Sequence, residues 1–300
     1  MYVILGATGH VGSAAADALV RARKPVIVVS RDEQKAASWR SRGTDAAVLD
    51  VTDVDALRSV LKRGRRAFLL NPPASPSTNT DEAERHTFMS IVRALEGSDL
   101  EKVVVESTYG AQPGDRIGDL SVLFEFEQAL SRQPIPVTIL RAAYYMSNWD
   151  ASLDAAKQGI LSTMYPADLA IPMVAPSDLG VAAARLLQED ANQTGIHYVE
   201  GPARYSSNDV AAAFGKALGR HVATTVVPRE EWEAAYRSLG FSQAAAFAYA
   251  RMTAATVDGT FDLPAEPERG STSLEAYIAA LVLRDPDASC QGAEPARLIF

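Results

Sequence analysis

The chain holds a single cysteine in 300 residues. A lone thiol, Cys290, forms no internal disulfide and builds no cysteine-rich metal cluster. Histidine is almost as scarce, at four residues. His86, His197 and His221 lack the spacing of a zinc site, so no metal is expected. Positive charge is in the minority: 29 Lys and Arg stand against 37 Asp and Glu, for a net charge of −8. That balance argues against general nucleic-acid binding. The one basic cluster, Lys62, Arg63, Arg65 and Arg66, reads as a solvated helix end. No apolar run approaches the roughly 20 residues that span a bilayer. Strand-like residues begin at Tyr2 with no basic leader before them. The expectation is a cytoplasmic protein acting on a small molecule, with no nucleic acid and no membrane. A homodimer or a protein partner stays open.

What the chain does have is a glycine turn close to its start. Tyr2-Val3-Ile4-Leu5 reads as a strand and is followed by Gly6-Ala7-Thr8-Gly9-His10-Val11-Gly12. Val11, Ala15, Ala18, Leu19 and Ala22 then fall on one helical face. Gly6 would make the sharp turn. Gly9 would let the backbone approach a pyrophosphate, and Gly12 would let helix and strand pack closely. Thr8, His10 and Val11 lie in the same loop, where the helix start offers unpaired N–H groups and a positive dipole end. The second strand-like run, Val26–Val29, ends at Ser30-Arg31, with Lys35 one helical turn on. An NAD site usually places an acid there for the ribose 2′-hydroxyl. A serine and a guanidinium suit a 2′-phosphate instead. The cofactor expected is therefore NADP(H), with NAD(H) as the alternative. The competing reading makes Arg31 and Lys35 ordinary solvated charges at a helix start.

The first half alternates strand and helix. Strand-like runs are Val3–Leu5, Val26–Val29, Ala46–Leu49, Ala67–Leu70, Val103–Val105 and Val137–Leu140. Helical patterns include Ala56–Lys62, Glu82–Leu95 and Leu120–Leu130. Continuous apolar strands separated by helices predict an α/β fold, a doubly wound parallel sheet of the Rossmann kind. Ligands in such sheets sit beyond the carboxyl ends of the strands. Those ends carry Asp50-Val51, Asn71-Pro72, Ser107-Thr108-Tyr109-Gly110, and a stretch that includes Tyr144, Tyr145 and Asn148. Asp50 and Asp53 suit a turn and the next helix cap.

The second half is mixed. Ala170–Met173, Gly195–Glu200 and Val222–Val227 read as strands. Ser177-Asp178 is expected to cap a helix running to Leu187. Ser206 or Ser207 should start another, stopped by Gly219. Glu230–Leu239 and Gln243–Val257 read as helices. We expect residues 1–155 to bind the nucleotide. Residues 156–284 should form a smaller mixed α/β substrate region with elements returning to the sheet. Residues 285–300 read as a tail, whose apolar end Leu298-Ile299-Phe300 is suited to docking on a neighbour.

Taken together, several segments resemble the NmrA-like family of atypical short-chain dehydrogenase/reductases. They are ILGATGHVG at 4–12, VVSR at 28–31, STYGA at 107–111, TILRAAYYMSN at 138–148, PMVAPSDLGVAAA at 172–184 and YVEGPARYSSNDVAAAFGKALGR at 198–220. The resemblance implies a phosphate loop at Gly6, Gly9 and Gly12, with Thr8 and His10 in it. It implies a 2′-phosphate reader at Arg31 and adenine contacts at Asp50 and Val51. Asn71 and Pro72 would lie near the cofactor ribose, with Ser107 and Tyr109 beside the nicotinamide. Tyr145 and Asn148 would line the cleft, and Asp178 would be a structural cap.

The standard enzymes of that superfamily pair a tyrosine with a lysine four residues on, the lysine lowering the tyrosine pKa. The corresponding helix here, Leu120–Glu127, holds neither residue. Two functions fit that departure. One is an NADPH-dependent oxidoreductase that passes hydride to a quinone-like or other electrophilic small molecule, with Ser107, Tyr109, Tyr145 or Asn148 meeting the developing charge. The other is a non-catalytic NADP-sensing regulator that binds a protein partner. Glu125 and Glu127, two apart on a helix, should diverge rather than act as a pair.

Overall fold

The computed structural model describes residues 1–284. The expected tail, its apolar end and Cys290 lie outside the described residues. In chain order the elements are β1 (Tyr2–Ile4), α1 (His10–Arg21), β2 (Val26–Ser30), α2 (Glu33–Ser41), β3 (Asp45–Val48), α3 (Val54–Leu61), β4 (Arg66–Leu69), α4 (Thr80–Leu95), β5 (Lys102–Thr108), α5 (Asp119–Ser131) and β6 (Val137–Ala142). The two-residue β7 (Tyr144–Tyr145) follows, then a 3-10 turn over Met146–Ser152, α6 (Leu153–Lys157), β8 (Ile160–Thr163), β9 (Ile171–Val174) and α7 (Pro176–Gln188). The chain continues through β10 (Gly195–Glu200), β11 (Arg204–Tyr205), α8 (Ser207–Leu218), β12 (Ala223–Val226), α9 (Trp232–Ser238), α10 (Gln243–Val257), β13 (Glu268–Arg269) and α11 (Leu274–Arg284).

Eight strands form one sheet in the order β13-β10-β6-β5-β4-β1-β2-β3. All of its neighbouring pairs are parallel. The pleat sends alternate residues to opposite faces. Ile4, Val28, Phe68, Val104 and Leu140 pack under α1 and α7. Val3, Ile27, Ala67 and Val103 pack under α3, α4 and α5. Both faces are covered, which is why these strands read as unbroken apolar runs. The strand order reverses between β1 and β4, β2 and β3 lying to one side and β4, β5 and β6 to the other. A crevice opens there beyond the strand ends, the usual ligand position in this architecture.

Several boundaries differ from expectation. β5 runs on through Thr108 and β6 through Ala142, because Ser107 and Thr108 pair with Arg141 and Ala142. Ser107 is thus a strand residue and not the start of a loop. α7 begins at Pro176, with Ala175 as an N-cap that supplies no side-chain bond. Asp178 does not cap that helix: its carboxylate accepts bonds from the Thr272 amide and hydroxyl at 2.8 Å each. Proline at the first helical position starts the helix without a capping side chain. β12 pairs with β8, in a two-stranded sheet outside the main one. Asp53 caps α3 as expected. Ser206 caps α8 through a capping box with Asp209, and Gly219 ends that helix in the left-handed region.

Candidate active site

The glycine loop builds one end of a groove of 740 Å³. Gly6 sits at φ +64°, and its carbonyl accepts from the Gly9 amide at 2.9 Å. A Cβ on Gly12 would fall 2.4 Å from the Gly6 oxygen, so only glycine permits this approach of helix to strand. No side chain caps α1, which leaves its first amides to an outside acceptor. Trp39 of α2 props the loop from beneath, its Nε1 donating to the Ala7 carbonyl at 3.1 Å.

The groove collects most of the expected cofactor residues: Gly6, Thr8, Gly9, His10, Val11, Gly12, Arg31, Asp50, Val51 and Pro72. Arg31 is exposed and makes no hydrogen bond or ion pair among the described residues. Asp50 accepts from the Thr52 hydroxyl and amide, which hold its carboxyl below the usual range; the Arg31 charge adds a smaller pull. Ser30 and Lys35 are not brought to the groove wall. The Ser30 hydroxyl is buried, accepts from the Asp32 amide at 3.0 Å and reaches Thr8 Oγ1 at 3.4 Å. Lys35 is exposed on α2, where its amide receives the Asp32 cap.

The far end of the groove is lined by Glu106, Tyr145, Ser147 and Asn148. Asn148 is 5% exposed, and its Nδ2 is buried with no partner. An unfilled donor on a dinucleotide-sized groove fits an amide or hydroxyl of a bound nucleotide. Together with the glycine cradle it makes the residues present a fit for NADP(H) or NAD(H). The Tyr145 hydroxyl donates to Glu106 Oε1. Burial pushes the Glu106 carboxyl up to about 7, against a smaller downward pull from that bond. Burial, and then the Glu106 charge, hold the Tyr145 phenol well above its ordinary value.

Behind Glu106 and Tyr145 lies an inner cavity of 80 Å³, whose walls include Asn71, Glu84, Ser107 and Asp119. Glu84 and Asp119 share a hydrogen bond, and burial raises both. Glu84 also accepts from the Ala74 amide at 2.9 Å, while Asn71 donates to its backbone carbonyl, so α4 holds the loop after β4. Ser107 is 2% exposed and donates to Glu127 Oε1. Arg141 clamps the same carboxylate at 2.9 and 2.7 Å. The Ser107 proton is therefore committed to a buried ion pair. Glu125, as expected, diverges: it pairs with Arg85.

Tyr109 is not brought to the groove. It lines a separate apolar cavity of 240 Å³ together with Leu120, Tyr144, Tyr165, Met252 and Phe261. Its hydroxyl is buried beside Glu200, and burial raises its pKa. Adjacent Tyr144 and Tyr145 belong to a strand and not a helix, so they face opposite ways. Tyr144 enters the apolar cavity, while Tyr145 enters the groove. Sequence reasoning missed Glu106 and Trp39. A lone glutamate after three valines near the end of a central strand was the available signal for Glu106. Nothing local marked Trp39.

The NmrA-like family model matches residues 2–277. Quinone oxidoreductase 2 of Escherichia coli (strain K12) is 24% identical over 242 residues, covering 80% of this chain and 82% of that protein. An NAD(P)H azoreductase of Xenophilus azovorans is 22% identical over 246 residues, covering 82% and 84%. The triphenylmethane reductase of Citrobacter sp., solved as a complex with NADP(H), superposes with a TM-score of 0.78 at 18% identity, over 93% of this chain and 99% of that one. With a family match over residues 2–277, its glycine loop, parallel sheet and a dinucleotide-sized groove along the strand ends, the chain belongs to the NmrA-like family.

Proposed function

We propose that the chain is an NADPH-dependent reductase of electron-poor, flat acceptors such as quinones, working without a Tyr–Lys pair. The observation that carries this reading is the groove itself. At one end it offers a phosphate cradle, and at the other a phenol and an orphaned amide donor. The loop Gly6–Gly12 and the start of α1 would hold the pyrophosphate, with Arg31 on the 2′-phosphate and Asp50 and Val51 at the adenine. When bound, the reduced nicotinamide supplies a hydride. Tyr145 and Asn148 meet the negative charge that develops on the acceptor oxygen, Tyr145 by giving up its proton. Ser107 acts by position, holding the Glu127–Arg141 pair at the strand ends.

α5, which carries the usual dyad in the wider superfamily, holds neither tyrosine nor lysine. An acceptor already electron-poor needs less help from an acid than a simple ketone does. The names of the two sequence relatives, a quinone oxidoreductase and an azoreductase, support the same acceptor class.

The test is NADPH oxidation, followed by absorbance, against a panel of quinones and azo dyes. Turnover of one or more acceptors is expected. NADPH binding with every acceptor untouched would overturn the reading in favour of a cofactor-sensing regulator, to be pursued through its protein partner.

A further inference from the structure

We infer that Glu106 is the proton reservoir behind Tyr145, the buried carboxyl restoring the phenol after the phenol has protonated the acceptor oxygen. This rests on the reductase reading above. Glu106 acts through Tyr145 and is a positioning and relay residue, while Tyr145 is the catalytic acid.

The geometry sets up the transfer. Glu106 Oε1 and the Tyr145 hydroxyl are hydrogen-bonded to each other, and both residues line the groove and the inner cavity behind it. The same pair of oxygens serves either direction of donation. With the proton on Glu106 Oε1, the carboxyl donates to the phenol oxygen, and the phenol O–H is free to turn toward the groove. Glu106 Oε2 is buried and has no partner.

No cation among the described residues pairs with Glu106. Arg141 of β6 is clamped on Glu127, and Arg85 of α4 on Glu125. The titratable groups across the inner cavity are Glu84 of α4 and Asp119 of α5, both acidic. Ser107, next along β5, donates its hydrogen bond to Glu127 instead. A buried carboxylate without a cation or a second donor is poorly stabilised, so the protonated form is favoured. Burial accordingly raises Glu106 to about 7, where a group can both give and regain a proton at neutral pH.

The step balances. Hydride arrival brings the acceptor two electrons and leaves one of its oxygens anionic, the nicotinamide being oxidised by the same two. The Tyr145 O–H bond breaks as a new O–H bond forms on that oxygen. The Glu106 O–H bond breaks as the phenol is restored. Glu106 remains as a carboxylate until water entering the groove returns a proton.

Two measurements test the relay. In the cofactor-free protein, carbon-13 NMR titration of labelled glutamate carboxyls should show, besides the raised Glu84, a midpoint near 7 that is absent in Glu106→Gln. In Tyr145→Phe that midpoint should move higher, because the donor favouring the carboxylate is gone. A Glu106 midpoint in the ordinary glutamate range would overturn the proposal. In turnover, wild-type kcat should fall as pH rises through the midpoint. Glu106→Gln should lower kcat by about 100-fold, flatten that profile and leave the NADPH Kd unchanged. Wild-type turnover with an unaltered Glu106→Gln rate and profile would sink the relay alone. A wild type that binds NADPH and reduces nothing would sink the reductase reading and the relay with it.

Discussion

The two ends of the groove are built from different materials. The phosphate end is backbone: three glycines, an uncapped helix start and one tight turn within residues 6–12. The chemical end is side chain: Glu106 from β5, Tyr145 from β7 and Asn148 from the turn that follows, backed by carboxyls from α4 and α5. Backbone amides in a local turn bind any pyrophosphate and specify no reaction. In the proposed reaction the buried side chains set proton affinity and acceptor, and they meet only because the sheet brings distant segments together.

The largest effect should come from breaking the backbone end. Gly12→Ala places a methyl 2.4 Å from the Gly6 carbonyl oxygen, an atom that cannot rotate aside. The expected result is a loss of about 1–3 kcal/mol of stability and NADPH binding weakened about 100-fold, read by thermal melts and calorimetry. Near-normal binding would mean that the loop is softer than its geometry implies.

Next in size is Arg31→Ala. Removing a charge-assisted contact to the 2′-phosphate should weaken NADPH by about 10- to 100-fold while leaving NADH nearly unchanged. Equal losses for both cofactors would move Arg31 from selection to general charge.

The chemical end can be sharpened through stability. Folding raises the Glu106 carboxyl from the ordinary 4.5 to about 7. The folded state then binds more protons than the unfolded state between those values. Its contribution is therefore full below the ordinary value, declines as pH rises through the interval, and is flat above it. Wild-type Tm should drop by a few degrees across that range relative to Glu106→Gln. Parallel curves for the two proteins would deny the carboxyl its raised proton affinity.

The smallest effect is expected at the prop beneath the loop. Trp39→Phe removes the bond to the Ala7 carbonyl, for about 1 kcal/mol of stability and about a fivefold weaker NADPH Kd at most.

The same contrast explains what could be read from sequence. The glycine loop, the Asp53 and Ser206 caps and the αL stop at Gly219 are local devices, and each is legible from a few residues. That the strands are buried on both faces is legible in their unbroken apolar runs, although their order in the sheet is not. By contrast, the start of α7 could not be placed from its own residues, because Asp178 is held by Thr272, far along the chain. Glu106 falls just past the apolar run Val103–Val105, since pairing with β6 is what carries β5 on to Thr108. Ser107 and Tyr109 were legible as strand-end residues, but their partners Glu127 and Glu200 come from other segments.

The Ser30 hydroxyl touches both Thr8 in the phosphate loop and Asp32 at the start of α2, while Trp39 on that same helix carries Ala7. The stretch proposed to choose between coenzymes is thus mechanically tied to the stretch proposed to grip them. Rewriting residues 30–35 to accept a different dinucleotide would also tilt the cradle. A redesign of preference has to re-anchor Thr8 and Ala7 in the same stroke, or it will trade selectivity for grip.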